Sequence, residues 1–191
     1  MSVEDLIREL TSGDDERAEA AAHRLAAFGA EALPVLDRLL QSDEPDDRWW
    51  AVRTLAAIEQ VSVAPRLAKA LQDPDPEVRQ CALLALRHHP NHNVVPELAA
   101  LLESEDKMLA RLAGDALVAI GGPAVNDLIE TLENGSPGAQ IEAARALALI
   151  GDTRAVPAMF AAWEEGSTMV QHWIEQGFEK MGIGMVFFQP G

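Results

Sequence analysis

A proline step recurs along this chain at a nearly fixed interval, and that interval limits the fold more than any other feature. It appears as Leu33-Pro34-Val35-Leu36, Ala64-Pro65-Arg66-Leu67, Val95-Pro96-Glu97-Leu98 and Val156-Pro157-Ala158-Met159. A degenerate copy, Val125-Asn126-Asp127-Leu128, carries Asn in the proline slot, and Val3-Glu4-Asp5-Leu6 carries Glu there. From Pro34 onward the steps are 31, 31, 30 and 31 residues. A period of this length is the mark of a repeat architecture, in which each unit is one supersecondary motif.

The segments around each step read as helices. Ahead of it runs an Ala-rich stretch with helical spacing at i, i+3, i+4 and i+7, as in Ala51-Val52-x-Thr54-Leu55-x-x-Ile58 or Ala143-Ala144-x-Ala146-Leu147-x-x-Ile150. That spacing marks one buried helix face. The matching set in the first full repeat is Ala21, Ala22, Leu25 and Phe28. The proline, in the first turn of a second helix, costs no hydrogen bond and presets its backbone. We call the Ala-rich helix A and the proline-initiated helix B. Acidic or breaker turns such as Ser42-Asp43-Glu44-Pro45, Asp73-Pro74-Asp75-Pro76 and Asn134-Gly135-Ser136-Pro137 separate the repeats. Their Asp, Ser and Asn side chains are suited to cap the next helix. The expected organisation is a single all-α repeat domain over 1–191 with about twelve helices. It comprises an N-terminal half repeat at 2–12, five full repeats over 14–166, a C-terminal half repeat at 167–182 and an apolar capping tail at 183–191. One hairpin cannot bury its own apolar face, so the hairpins are expected to stack into an α-solenoid.

Two stretches carry a family resemblance. Pro76-Glu77-Val78-Arg79 and Leu149-Ile150-Gly151-Asp152-Thr153-Arg154-Ala155-Val156-Pro157 resemble the HEAT-like repeat of the short bacterial type named after the phycobilisome lyases. The resemblance implies a right-handed α-alpha superhelix whose B helices form the inner, concave wall. It is specific for fold and weak for function, because the motif residues are packing residues. Relatives of this type include phycobilin lyase subunits that bind an open-chain tetrapyrrole. HEAT-like deoxyhypusine hydroxylases hold two irons with His-Glu pairs, and this chain has no His-Glu dipeptide. HEAT-like DNA glycosylases use a basic concave groove.

Composition bears on partners. The chain has 191 residues, 31 acidic and 15 basic, for a formal net charge of −16. Phosphate backbones are held by clustered Lys and Arg, so nucleic acid is not an expected partner, and neither is an anionic membrane surface. The single cysteine, Cys81, excludes an internal disulfide framework. No segment reads as a membrane span or a signal peptide, and a cytoplasmic setting is expected. There is no phosphate loop and no nucleophile–base pairing. Three histidines, His88, His89 and His92, share one turn, but His89 falls in the column of Ile58 and Ile150, and no second ligand cluster accompanies it. No metal, cofactor or catalytic residue is therefore assigned.

Once the packing columns are removed, three features remain. Arg8, Arg38 and Lys69 share one helix-B column, with Arg66 in the neighbouring column. This row is either a stripe for an anionic group or acidic peptide, or a solvated face neutralised by pairs such as Asp5 with Arg8. Trp49 lies in a column that reads as exposed, beside Trp50, and an exposed Trp is a common interface anchor. The C-terminal region gathers Trp173, Phe178, Phe187 and Phe188, expected to cap the open end or to form a homodimer or partner surface. Arg48 and Arg79 occupy a consensus slot in which an arginine is expected to bond the acidic turns. The functional expectation is a non-enzymatic protein-interaction scaffold using the helix-B wall. A tetrapyrrole-binding lyase-like subunit and an assembly protein that dimerises through its C-terminus are the alternatives.

Overall fold

A computed structural model describes residues 2–183. Phe187, Phe188 and all but the first residue of the expected capping tail at 183–191 lie outside the described residues. The chain divides into two compact units, Met1–Pro90 and Asn91–Gly191. Among the described residues there are twelve α-helices and no strand.

The first unit contains α1 (Val3–Leu10), α2 (Asp15–Ala26), α3 (Leu33–Leu39), α4 (Pro45–Ala56), α5 (Ala64–Ala70) and α6 (Pro76–His88). The second contains α7 (Val95–Ala100), α8 (Lys107–Ile120), α9 (Val125–Asn134), α10 (Pro137–Ile150), α11 (Val156–Glu165) and α12 (Thr168–Lys180). Odd-numbered helices are B helices and even-numbered ones are A helices, in the order the proline period requires. Pro34, Pro65, Pro96 and Pro157 each sit in the first turn of a B helix.

Capping explains where the A helices start. The Asp14 side chain accepts from the Arg17 N–H, Asp75 from Glu77 and Val78, and Asp106 from Met108 and Leu109. Ser136 and Ser167 do the same for α10 and α12. Helix α4 differs: its N-cap is Glu44, which makes no side-chain cap, and Pro45 at the first position has no N–H to satisfy.

Small residues on the A helices let neighbours pack closely. Ala21, Ala22 and Leu25 of α2 bury against Leu6 and Leu10 of α1, with Trp50 of α4 packed on the same cluster. Ala51, Val52, Leu55 and Ile58 are fully buried in the next repeat, as are Ala143, Ala144, Ala146 and Leu147 in the second unit. One expected core position fails. Phe28 is 36% exposed, whereas Ile58, its equivalent one repeat on, is 0% exposed. Within the first unit α4 packs against both α2 and α6, while α2 has only α4 as a neighbouring A helix. Among the described residues no second A helix covers Phe28. No helix among the described residues is long and apolar enough to cross a membrane.

Candidate functional site

The arginines of the consensus slot bond the turns, as the repeat pattern implies. Arg48 is buried; its Nε donates to Asp73 at 2.8 Å and its Nη1 donates to the Ser42 and Asp43 carbonyls. Arg79 donates to the Asp73 and Pro74 carbonyls. Gln171, in the same column of α12, donates its amide to the Trp163 carbonyl at 3.0 Å. These side chains tie α4, α6 and α12 to the turns that precede them.

The helix-B cations are less free than their column suggests. Arg8 is ion-paired with Asp5 one turn back. Arg66 reaches the preceding B helix, where Nε and Nη2 meet the two Asp37 oxygens at 2.7 and 3.0 Å. That fork-to-fork bond is the dominant reason the Arg66 pKa is raised, and partial burial works against it. The sequence spacing shows no partner for Arg66 because Asp37 lies 29 residues away, one repeat back. Arg38 and Lys69 make no ion pair or hydrogen bond among the described residues. A cavity of about 320 Å³ opens beside Lys69, and Asp37 and Asp73 line it along with Arg66. The row is therefore a mixed-charge surface with two unpaired cations.

The tryptophans mark a different concavity. Trp49 and Trp50 are both half-buried, their rings edge-to-face with centroids 4.8 Å apart and planes at 87°. Trp50 packs on the α1–α2 core. Both tryptophans line a cavity of about 630 Å³ in the first unit, at the N-terminal ends of α2, α4 and α6. Its lining includes seven carboxylates and no basic side chain. Three of the seven are engaged: Glu19 is ion-paired with Arg53 and His23, Asp47 accepts from the Ser42 hydroxyl, and Asp75 caps α6. The other four, Asp15, Glu44, Asp46 and Glu77, make no side-chain hydrogen bond or ion pair among the described residues.

The sequence pattern contained this site in a column that packing arguments skip. The first turns of successive A helices present Glu16, Asp46, Glu77, Met108, Gly138 and Met169, all exposed. Caps and turns draw attention to acids as structural residues, and that hides a change of chemistry along the column. Met108 and Met169 are 56% and 50% exposed, so helices of the second unit begin without an acid at this position.

Other singled-out residues take structural places. Cys81 is buried, and desolvation pushes its thiol up to about 11. The His89 Nε2 lies 2.9 Å from the Ala56 carbonyl; a carbonyl only accepts, so this nitrogen carries the hydrogen and is not open to a metal. Among the described residues no group of three His, Cys, Asp or Glu is placed to hold a metal ion. Trp173 is half-buried, and Phe178 is fully buried against Phe160, with ring centroids 4.5 Å apart. Phe178 is thus a core residue of the last hairpin.

Sequence reasoning missed the most buried charge. Arg145 of α10 is 1% exposed and donates to Glu142 and Asp115, each at 2.7 Å, and to the Arg111 carbonyl at 3.1 Å. It sits at an A-helix position that the spacing assigns to neither core nor turn.

Stacked A–B hairpins with capped A helices and proline-started B helices define a helical repeat protein. The HEAT repeat model matches residues 3–87 and 64–138, and the PBS lyase HEAT-like repeat matches residues 139–159. The chain belongs to the HEAT-repeat family. No curated protein matches it. Among solved structures it is similar to the complex of CpcE and CpcF of phycocyanin lyase from Nostoc sp. PCC7120. That match has 20% identity and a TM-score of 0.58, and covers 75% of this chain and 96% of that one. It is also similar to a designed armadillo repeat protein in complex with the peptide (KR)4, at 20% identity and a TM-score of 0.53, covering 95% and 100% of the two chains. Human deoxyhypusine hydroxylase matches at 18% identity and a TM-score of 0.55, covering 95% of this chain and 74% of that one. These likenesses show the fold.

Proposed function

We propose that this chain is a non-enzymatic protein-interaction module and that the first unit receives a segment of its partner. The observation that carries this reading is the 630 Å³ cavity with the Trp49–Trp50 pair on its wall. Aromatic side chains that keep exposed area anchor interfaces because they bring large apolar contact at low entropic cost. Stacked repeats place successive helix ends side by side, which suits an extended segment. Two of the similar structures, the designed armadillo protein with its peptide and CpcE with CpcF, hold another polypeptide.

A second reading keeps the helix-B wall as the docking face, favoured by the unpaired Arg38 and Lys69. An acidic segment or a tetrapyrrole propionate would meet them there. Affinity capture with three baits separates the two readings: wild type, Trp49→Ala, and the double variant Arg38→Glu with Lys69→Glu. Loss of partners from the Trp49→Ala bait alone is the expected result. Loss from the helix-B variant alone moves the site to that wall. Identical partner lists from all three baits overturn both readings.

A further inference from the structure

We propose that the Trp49–Trp50 cavity is a docking site for a basic, extended segment of a partner protein, with Lys or Arg side chains seated between the rings and the surrounding carboxylates. The inference rests on the protein-interaction reading and names the chemistry of its partner.

The charge of the cavity is the first argument. Of its seven lining carboxylates, Glu19 is neutralised by Arg53 within the fold, leaving six. The N-termini of α2, α4 and α6 offset part of the remainder, each by roughly half a positive charge and together by about 1.5. The balance stays strongly negative, and no Lys, Arg or His lines the space.

Capping accounts for Asp75, but helix initiation does not require the rest of that charge. In the second unit α8, α10 and α12 start from the single caps Asp106, Ser136 and Ser167, with Met108, Gly138 and Met169 in their first turns. The equivalent first-turn acids Asp46 and Glu77 of the first unit stand unpaired at the cavity. An acid in the first turn is stabilising by about 0.3–1 kcal/mol, but the A helices of the second unit form without it. Position and chemistry therefore coincide at the cavity for a reason other than helix starting.

The distribution of the charge selects the ligand. The carboxylates do not converge on one point, since no three acidic, His or Cys groups among the described residues are placed to hold a metal ion. They are spread over the starts of three adjacent A helices. Packed helices lie about 8–10 Å apart, and an extended chain advances roughly 3.3 Å per residue. One basic side chain every two or three residues then meets successive helix starts. The indole faces add the cation–π attraction that a guanidinium or ammonium finds over Trp. Nucleic acid and anionic lipid are repelled by the same field.

The test uses the full chain and labelled octapeptides at about 150 mM salt, where charges more than about 8 Å apart are screened. The probes are an alternating Lys-Arg peptide, an alternating Glu-Lys peptide and an alternating Glu-Asp peptide, read by fluorescence anisotropy, with unlabelled spermine as a competitor. The basic peptide is expected to bind, and the other two at least tenfold more weakly. Asp46→Lys with Glu77→Lys is expected to weaken the basic peptide at least tenfold, and Trp49→Ala about fivefold or more, with Trp49→Phe restoring most of the loss. Asp127→Lys with Glu130→Lys makes the same charge change on α9 and is expected to change affinity less than threefold.

Equal losses from the cavity and α9 reversals overturn the proposal, because general acidity then explains binding. So does an unchanged affinity in Trp49→Ala, or spermine binding as tightly as the peptide. Preferential binding of the Glu-Lys or Glu-Asp peptide with loss in Trp49→Ala overturns the basic-segment inference while leaving the cavity as a docking site. The docking reading itself fails separately, through identical lists in the three-bait capture.

Discussion

Arg145 of α10 donates from Nη1 to the Asp115 carboxylate of α8 at 2.7 Å, joining successive A helices across thirty residues of sequence. The guanidinium is 1% exposed and occupies the space where Gly114 lacks a side chain; a Cβ at Gly114 would stand 2.7 Å from Nη2. The two residues are thus coupled, and the coupling has a testable sign. Gly114→Ala alone is expected to destabilise, even though Ala gains up to about 1 kcal/mol over Gly in a helix interior, because the added carbon displaces a buried charge from its partners. Arg145→Ala is expected to cost about 3–5 kcal/mol, the range for breaking a buried ion pair. In an Arg145→Met background the obstruction is gone, and Gly114→Ala is expected to become neutral or stabilising. Urea unfolding of the four proteins of this cycle measures the coupling; additive effects would show that the two sites are independent.

Two other helical glycines are expected to behave oppositely. A Cβ on Gly177 of α12 would meet the Met159 methyl at 2.7 Å and the Ala148 Cα and Cβ at 3.0 Å. Backbone cannot retreat as a side-chain end can, so Gly177→Ala is expected to cost about 1–3 kcal/mol by overpacking. Gly138, in the first turn of α10, has nothing within 4 Å, and Gly138→Ala is expected to raise stability by up to about 1 kcal/mol. Thermal unfolding followed by circular dichroism distinguishes them; a shift of the same sign in both would contradict the contact argument.

These pairs also show why the sequence was legible in some places and opaque in others. The helices could be read because each signal is local: Pro34 starts α3, Asp75 caps α6, and Ala143 and Leu147 lie one turn apart. Arg48 and Arg79 were legible because their acceptors lie within six residues in the preceding turn, Arg48's bond to Asp73 excepted. The pairing of Arg66 with Asp37 and the burial of Arg145 were not, since both depend on which residue of a neighbouring repeat stands opposite. Trp49 was legible as an outlier in its column. The acids around it were hidden because acids in turns have an ordinary capping role, and only the stacking of α2, α4 and α6 gathers them around one cavity.

Cys81 offers a kinetic test of burial. Its thiol is pushed from 9.0 up to about 11, chiefly by desolvation, with a smaller opposing effect from Arg53. At pH 8 the thiolate fraction falls about a hundredfold relative to an unshifted thiol, and the thiolate is the reacting form. Reaction with a disulfide reagent at pH 8 is expected to be slower than in 6 M guanidinium by about that factor or more. Equal rates in the two solvents would mean that α6 opens freely and that Cys81 is not a core residue.

The Arg48–Asp73 pair predicts how stability changes with acid. Burial alone would raise the Asp73 pKa, but the Arg48 hydrogen bonds, the Asp75 N–H and the Arg48 charge outweigh it and hold the carboxyl below its ordinary value. A folded-state pKa below the unfolded value contributes stability that is fully present above the unfolded pKa, about 3.9, and is lost as pH falls through the folded value. Unfolding free energies measured in urea are therefore expected to drop below about pH 4 in the wild type. In Asp73→Asn that part of the drop is absent, because the amide does not titrate. The variant is also expected to be less stable than wild type at pH 7, since Arg48 is left buried without its counter-charge. The gap between the two proteins should then narrow as pH falls from 5 toward 2. A gap that stays constant across that range would show that Asp73 has the same pKa folded and unfolded, and that Arg48 does not stabilise its charged form.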